Sequence, residues 1–198
     1  MSAAPRRATY DDLLAVPDDL IAELLDGELF TFPRPTNPHA RVTTKLSIDL
    51  GGRFDGPPGG EDAPGGWLFL YAPELHLGAD VLVPDLAAWR IARLPAIPDG
   101  PAMTIAPDWV CEVLSPGTAR VDRSRKMPIY AREGVGHLWL IDPLARLLEI
   151  YRLEGGRWVV AGAHGGGDLL RAEPFETAAL DPSRWWPADT GSAAAPPR

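Results

Sequence analysis

A glutamate stands inside the apolar run that spans residues 109–114. Alternation along an extended strand puts Trp109 and Cys111 on one face and Val110 and Glu112 on the other, so both faces are largely apolar. Such a strand is typical of a covered position in a sheet. An ionised carboxylate there is unfavourable unless it is paired, hydrogen-bonded or bound to a metal. We therefore expect a partner for Glu112. The alternative is a carboxylate at a strand end that meets solvent or an arginine.

A second carboxylate, Asp85, stands where another apolar strand begins, directly after Pro84. Neighbouring strands lie about 4.8 Å apart, so Asp85 and Glu112 can reach one hard divalent cation if the two strands pair. Mg²⁺ suits this pair, because it takes one or two protein carboxylates and leaves its other positions to water and phosphate oxygens. The pair predicts a site for Mg²⁺ or Mn²⁺ that serves phosphate-ester hydrolysis.

Hydrolysis also needs a group that steadies the attacking water and the charge of the transition state. Lys126 is the best local candidate, and it lies in the basic run 119–132. The same run contains Arg120, Arg123 and Arg125, which are candidates for contacts with a nucleic-acid backbone. The alternative for the whole run is a solvated helix face, which is common for such sequences.

The composition bounds the class of protein. A formal charge of −8 argues against nonspecific coating of nucleic acid, although it leaves room for a local basic site. A single cysteine excludes an internal disulfide and a zinc site built from several thiolates. The chain has neither an apolar run long enough for a membrane span nor an apolar signal core, so we expect a cytoplasmic protein with no membrane partner.

The length of 198 residues is typical of one domain. We expect a flexible N-terminus at 1–8, one folded domain over 9–186 and a disordered tail at 187–198, which is rich in Pro and Ala. The loop at 55–66 is rich in Gly and Pro and is expected to be mobile.

Capping residues, turn residues and periodicity predict the elements that position these side chains. Thr9 and Asn37 are the expected N-caps of two helices. Pro38 and the pair Gly51–Gly52 bracket the second helix, and Asp26 and Gly27 predict a hairpin. The predicted helices lie at 9–14, 38–50 and within 119–132, and the predicted strands at 21–25, 28–32, 67–77, 85–91, 109–114, 137–142 and in a hairpin around Gly155 and Gly156. This order indicates an α/β protein of α+β type with a mixed central sheet flanked by helices, as opposed to a doubly wound parallel sheet.

Several of these residues, taken in order, resemble the signature of the Uma-type putative restriction endonucleases of the PD-(D/E)XK nuclease superfamily. The similar pieces are "AELLDGEL", "PH", "PDL", "EVLSPGT", an aspartate shortly before a lysine, a tyrosine four residues after it, "GV" and "WLIDP". The resemblance runs from about Tyr10 to Tyr151 and implies a restriction-endonuclease-like core in a single nuclease-like domain.

The resemblance implies that Asp85 and Glu112 hold Mg²⁺. In the superfamily the lysine usually stands two residues after the glutamate, where this chain has Leu114. The resembling family carries its lysine on the following helix, which matches Lys126. Pro128 predicts that this helix is kinked or starts late.

Three further residues match the family's motifs or lie beside them. Glu23 would add a carboxylate to the metal shell, and its alternative is a surface charge on the hairpin. His39 would contact phosphate at a helix N-terminus, and its alternative is packing or capping. Tyr130 lies one turn beyond Lys126 and is expected to pack or to hydrogen-bond nearby.

The function that the sequence favours is a Mg²⁺-dependent endonuclease that hydrolyses DNA. The alternative is a catalytically inactive module of the nuclease fold that binds nucleic acid or a protein partner. A homodimer would suit cleavage of both strands. No dedicated reading helix or zinc module is apparent, so the sequence predicts no recognition sequence.

Overall fold

The computed structural model describes residues 6–60 and 63–187. Its helices are α1 Tyr10–Leu14, α2 Asn37–Phe54, α3 Ala119–Val121 and α4 Met127–Arg132, with a π-helical turn at Asp122–Lys126 and a 3-10 helix at Pro182–Arg184. Its strands are β1 Leu20–Leu25, β2 Glu28–Pro33, β3 Trp67–Tyr71, β4 Leu75–Leu77, β5 Asp80–Leu82, β6 Leu86–Arg90, β7 Trp109–Val113, β8 His137–Asp142, β9 Leu147–Glu154 and β10 Arg157–Gly165.

The strands form two sheets. The larger has the order β10-β9-β8-β7-β6-β3, and the smaller has the order β2-β1-β5-β4. Strands β7 and β8 run parallel, whereas the other neighbours in both sheets run antiparallel. This is the α+β arrangement with a mixed sheet that the element order predicts.

Strand β7 lies inside the larger sheet and is covered on both faces. Trp109 and Cys111 belong to the apolar core beneath α2. Val110 belongs to a second core on the opposite face, which includes Ile129 and Tyr130 of α4. The alternation expected from the sequence is confirmed, and it places Glu112 on the face that α4 covers.

The N-terminal elements follow their local signals closely. Thr9 caps α1 with a capping box that includes Asp12, because each residue's side chain accepts a hydrogen bond from the other's backbone N–H. Asp26 and Gly27 both have positive φ, 54° and 82°, as the two-residue turn of a hairpin requires. Both predictions are confirmed.

Helix α2 is longer than the predicted 38–50. It has Thr36 at its N-cap in place of Asn37, and it continues through Gly51 and Gly52 to Phe54. Phe54 is buried in the core beneath α2. Burial of this aromatic side chain outweighs the weak helix propensity of two glycines.

The strand predicted at 67–77 is two strands in different sheets. Strand β3 pairs with β6 in the larger sheet, and β4 pairs with β5 in the smaller one. Ala72, between them, has a φ of 44°, so the chain turns there. Pro73, directly after it, was the available signal for the break in the sequence.

Helices α3 and α4 and the π-helical turn between them form one continuous helical segment, residues 119–132. The N–H of Met127 bonds to the carbonyl of Asp122, five residues back, just before Pro128. The irregularity expected from Pro128 is therefore a π-helical turn.

Parts of the two predicted termini, residues 1–5 and 188–198, lie outside the described residues. No helix within the described ranges is both long and apolar enough to cross a bilayer.

Candidate active site

The pairing of β6 with β7 brings Asp85 beside Glu112. The strands are antiparallel, with Leu86 opposite Cys111, so Asp85, one residue before β6, lies at the level of Glu112 and Val113. The backbone N–H of Val113 donates a 2.7 Å hydrogen bond to Asp85 Oδ2. The structure thus brings together the two carboxylates that the sequence singles out.

Glu112 has the partners that its burial demands. Its side chain is nearly inaccessible, with 3% of the residue exposed. Glu112 Oε1 lies 2.8 Å from Lys126 Nζ and accepts a 2.6 Å hydrogen bond from the hydroxyl of Tyr130. The alternative of a strand-end carboxylate meeting solvent or an arginine does not describe this residue.

Glu23 also reaches this site from β1. It is buried, its Oε1 accepts a 2.6 Å hydrogen bond from the N–H of Val83, and the same oxygen lies 2.9 Å from Lys126 Nζ. Lys126 therefore bridges Glu23 and Glu112, and it also donates to the carbonyl of Val83 at 3.2 Å. Glu23 is thus not an exposed charge of the hairpin.

The helical segment presents three site residues at spacings of four. Asp122, Lys126 and Tyr130 are all buried, and Asp122 Oδ1 lies 3.8 Å from Lys126 Nζ. Residues four apart share one side of a helix, so the segment lays all three side chains over Glu112. Asp122 belongs to the buried cluster and does not merely decorate the helix surface.

His39 approaches Asp85 from the first turn of α2. Its Nε2 lies 3.2 Å from Asp85 Oδ2, while its buried Nδ1 has no hydrogen-bond partner among the described residues. Burial lowers the pKa of His39, but the hydrogen bond and charge of Asp85 raise that pKa more, so the net shift is upward. His39 therefore lies near the N-terminus of α2 and also contacts Asp85, a candidate metal ligand.

The electrostatics of the cluster follow from burial and from an excess of carboxylates. Burial raises the pKa of Glu112 well above its ordinary value, although Lys126 opposes the rise. Burial lowers the pKa of Lys126, but the charges of Glu112, Glu23 and Asp122 raise that pKa by more. The net shift is upward, so the ammonium persists at neutral pH. Burial raises the pKa of Asp122 to about 6. The surplus negative charge favours an added cation.

The donor set fits Mg²⁺ through two carboxylates. The hydrogen bonds and ion pairs of these residues use Asp85 Oδ2 and Glu112 Oε1, which leaves Asp85 Oδ1 and Glu112 Oε2 without such partners in the described part of the chain. No group of three or more His, Cys, Asp and Glu side chains placed to hold a metal occurs within residues 6–60 and 63–187. Mg²⁺ needs only one or two protein carboxylates, so the two free oxygens suit it.

The three arginines of the helical segment differ in their surroundings. Arg120 lines the pocket above the cluster and has no hydrogen-bond or ion-pair partner among the described residues. Arg123 pairs with Glu149 at 2.6 Å, and Arg125 pairs with Glu28 at 3.3 Å. Neither of these two lines the pocket.

The pocket above the cluster has a volume of about 380 Å³. One of its walls is the hairpin β1–β2, which contributes Ile21, Phe30 and Phe32 beside Glu23. Sequence reasoning missed this aromatic wall. The available signal was the alternation of Phe30 and Phe32 on the arm of the hairpin opposite Glu23.

The fold is that of a nuclease-like α+β protein. The crystal structure of a putative nuclease belonging to DUF820 from Anabaena variabilis ATCC 29413 matches with a TM-score of 0.71 and 20% sequence identity, over 90% of this chain and 97% of that chain. The chain belongs to the Uma2 family, described as "Putative restriction endonuclease", whose model matches residues 7–182. The resemblance seen in the sequence motifs is therefore confirmed. No curated protein matches the chain.

Proposed function

We propose that this protein is a Mg²⁺-dependent endonuclease that hydrolyses phosphodiester bonds of DNA. The observation that carries the proposal is the convergence of Asp85, Glu112 and Lys126, from two paired strands and a helical segment, in one buried pocket. Membership of the Uma2 family supports it. In this proposal Asp85 and Glu112 hold the metal, and Lys126 serves the reacting phosphate.

The free oxygens Asp85 Oδ1 and Glu112 Oε2 would hold Mg²⁺ or Mn²⁺. When bound, the ion supplies Lewis-acid stabilisation of phosphate charge and promotes ionisation of water. His39 and the N–H of Val113 both bind Asp85 Oδ2, so they fix the orientation of that carboxylate.

Lys126 acts as a cation and a hydrogen-bond donor. Because the surrounding carboxylates raise its pKa, it stays protonated at neutral pH and is not a general base. From the pocket it would orient the attacking water or stabilise charge on a phosphate oxygen. Glu23 and Asp122 are positioning residues, since they hold this ammonium in place.

Arg120 is the residue of the helical segment best suited to a backbone phosphate. It lines the pocket, and no carboxylate within the described ranges engages it. Arg123 and Arg125 would bind phosphate only by leaving Glu149 and Glu28.

The test is cleavage of supercoiled and single-stranded DNA with Mg²⁺ or Mn²⁺ by the wild type, Asp85→Asn, Glu112→Gln and Lys126→Met. Glu154→Gln is the matched control, because Glu154 is a carboxylate paired with Arg152 away from the pocket. We expect the first three variants to lose at least about 100-fold in rate, as for loss of a transition-state contact, and the control to keep its rate. Equal activity in all preparations would indicate a contaminant and would contradict the proposal.

A readout that does not depend on activity is thermal stabilisation by Mg²⁺ or Mn²⁺. A metal that binds only the folded state raises the unfolding temperature, so the wild type should be stabilised and both Asp85→Asn and Glu112→Gln should not.

One observation favours a second candidate, a module of the same fold that binds nucleic acid or a protein partner without catalysis. Lys126 already neutralises Glu23 and Glu112, so the cluster has a cation of its own. This candidate predicts that neither Mg²⁺ nor Mn²⁺ stabilises the wild type and that all the DNA substrates remain intact.

A further inference from the structure

We propose that Phe30 and Phe32 form a stacking surface for an unpaired base of the DNA, so that the enzyme cleaves single strands and unpaired segments in preference to duplex. This inference rests on the proposed function, and it names the class of substrate that the same site accepts. It depends on the pairing of the hairpin, the burial of the cluster and the distribution of charge.

The register of the hairpin directs the two rings to the site. Glu23 on β1 is opposite Phe30 on β2, and Ile21 is opposite Phe32. Residues opposite one another on paired strands share a face of the sheet. Because Glu23 on that face contacts Lys126, the two phenylalanines flank the cluster, and both line its pocket.

The geometry of the rings suits stacking. Their planes are within 9° of parallel, and their centroids are 6.5 Å apart. Both side chains are only partly buried, so part of the aromatic surface faces the pocket. Bases stack on aromatic side chains whatever their sequence, because every base has a π face.

The burial of the cluster limits which DNA can reach it. Glu112 and Lys126 each have only 3% of their surface exposed, at the base of a pocket of about 380 Å³. A pocket of this size is typical of one that encloses a small ligand or a single nucleotide. In a duplex the base attached to the scissile phosphate is stacked and paired, so it must leave the helix before the strand can enter. A single strand needs no such step.

The charge of the protein points the same way. Duplex binding by phosphate contacts needs many cations, whereas this chain has a net charge of −8. The pocket offers Arg120, and Arg34 also lines it while donating to the carbonyl of Asp18 at 2.7 Å. Two arginines beside two aromatic rings match a short single strand, in which stacking supplements few phosphate contacts.

The experiment compares cleavage of one sequence as a single strand, as a blunt duplex and as a fork with unpaired arms, using the wild type and the Phe30→Leu/Phe32→Leu variant. The matched control is Tyr71→Leu, an exposed aromatic residue on β3 that does not line the pocket. We expect the wild type to cleave the single strand and the arms of the fork at least about tenfold faster than the duplex. The double variant should lose about 5- to 150-fold on the single strand, the range for loss of a stacked base, and the control should match the wild type.

A second measurement works on the wild type alone, so it does not depend on the folding of a variant. Single-stranded DNA containing 5-iodouracil is bound in EDTA and irradiated, and the crosslinked residue is identified by mass spectrometry. Crosslinks at Phe30 or Phe32 support the stacking surface, and crosslinks confined to other residues overturn it.

The outcomes separate this inference from the proposed function. Absence of cleavage of every DNA contradicts the proposed function, and the crosslinks then still decide whether the rings bind a base. Cleavage that favours duplex, or a double variant that folds and cleaves single strands at the wild-type rate, overturns the inference and leaves the endonuclease intact. Faster cleavage of RNA than of DNA overturns the choice of DNA.

Discussion

Lys126 Nζ lies 2.8 Å from Glu112 Oε1, and both side chains are almost entirely withdrawn from solvent. Each group offsets the cost of burying the other. The same ammonium lies 2.9 Å from Glu23, so a single cation joins the hairpin β1–β2, strand β7 and the helical segment. The site and the packing of the smaller sheet against the larger one therefore depend on the same contact.

Lys126→Met should destabilise the protein strongly at neutral pH. It keeps much of the side-chain volume but leaves buried carboxylates without their cation, a change that costs about 3–5 kcal/mol. Part of the loss should be recovered at pH 5, because burial raises the pKa values of Glu112 and Asp122 and their protonation removes the repulsion. Urea unfolding at both pH values measures this effect.

The matched control for that substitution is Lys45→Met, since Lys45 lies on α2 away from the pocket. Its free energy of unfolding should change by less than about 0.5 kcal/mol, as is usual for a substitution outside the core. Equal losses for the two lysine variants would contradict the buried ion pair.

Tyr130→Phe should remove one of the hydrogen bonds that stabilise the buried carboxylate of Glu112. The hydroxyl donates a 2.6 Å hydrogen bond to Glu112 Oε1, and its loss leaves a buried carboxylate with one donor fewer, at about 1–3 kcal/mol. Because a donor to the charged form favours that form, its removal should raise the pKa of Glu112 further and move the acidic limb of the pH–rate profile to higher pH.

Tyr151→Phe provides the comparison for this change. Tyr151 also donates to a glutamate, Glu149 at 3.0 Å, but on a half-buried part of the sheet. We expect a smaller loss of stability and an unchanged pH–rate profile. A shift of the profile in both variants, or in neither, would contradict a special role for Tyr130.

Much of the site could be predicted from the sequence because it depends on local patterns. Alternation around Glu112 gave its face of β7, and the strand that begins after Asp85 proved to be its neighbour. Two apolar strands that carry carboxylates at matching ends have few other ways to compensate those charges. The buried lysine followed from the family resemblance more than from its own sequence surroundings.

What could not be predicted depends on contacts between residues far apart in sequence. Arg123 and Arg125 looked equivalent to Arg120, yet Glu149 and Glu28 engage them from distant strands. The extension of α2 through two glycines depends on the core that receives Phe54. The alternation of Phe30 and Phe32 is visible in the sequence, but their place in the wall of the pocket depends on how the hairpin packs against the helical segment.

His39 should make a pH-dependent contribution to stability. Its folded pKa is raised, so the contribution is fully present below the unfolded value of about 6.5 and is lost as the pH rises through the higher folded value. The difference in unfolding free energy between the wild type and His39→Gln, measured in EDTA, should therefore be larger at pH 6 than at pH 9.

His137→Gln tests the sign of this effect. Burial lowers the pKa of His137, so the stability linked to its titration is present above about pH 6.5 and is lost as the pH falls through the lower folded value. The difference in unfolding free energy between the wild type and each histidine variant should therefore change with pH in opposite directions for the two variants. Parallel slopes would contradict the bond between His39 and Asp85.

Asp122→Asn should stabilise the protein at neutral pH while slowing catalysis. Burial raises the pKa of Asp122 from 3.8 to about 6, so the stability linked to this group is present below pH 3.8 and is lost as the pH rises through about 6. Asn cannot ionise, so the variant avoids that loss, which is at most about 3 kcal/mol. The free energy of unfolding, measured in EDTA, should be higher for the variant than for the wild type at pH 7 and equal for the two proteins near pH 3.5.

The cost of this substitution should appear in the rate, because Asp122 lies 3.8 Å from Lys126 and helps to hold its ammonium in the pocket. The exposed residue Asp11 supplies the control Asp11→Asn, which should alter neither property. A variant that is both more stable and fully active would show that Asp122 does not position Lys126. A variant that is less stable at pH 7 would show that the ion pair outweighs the burial of the carboxylate.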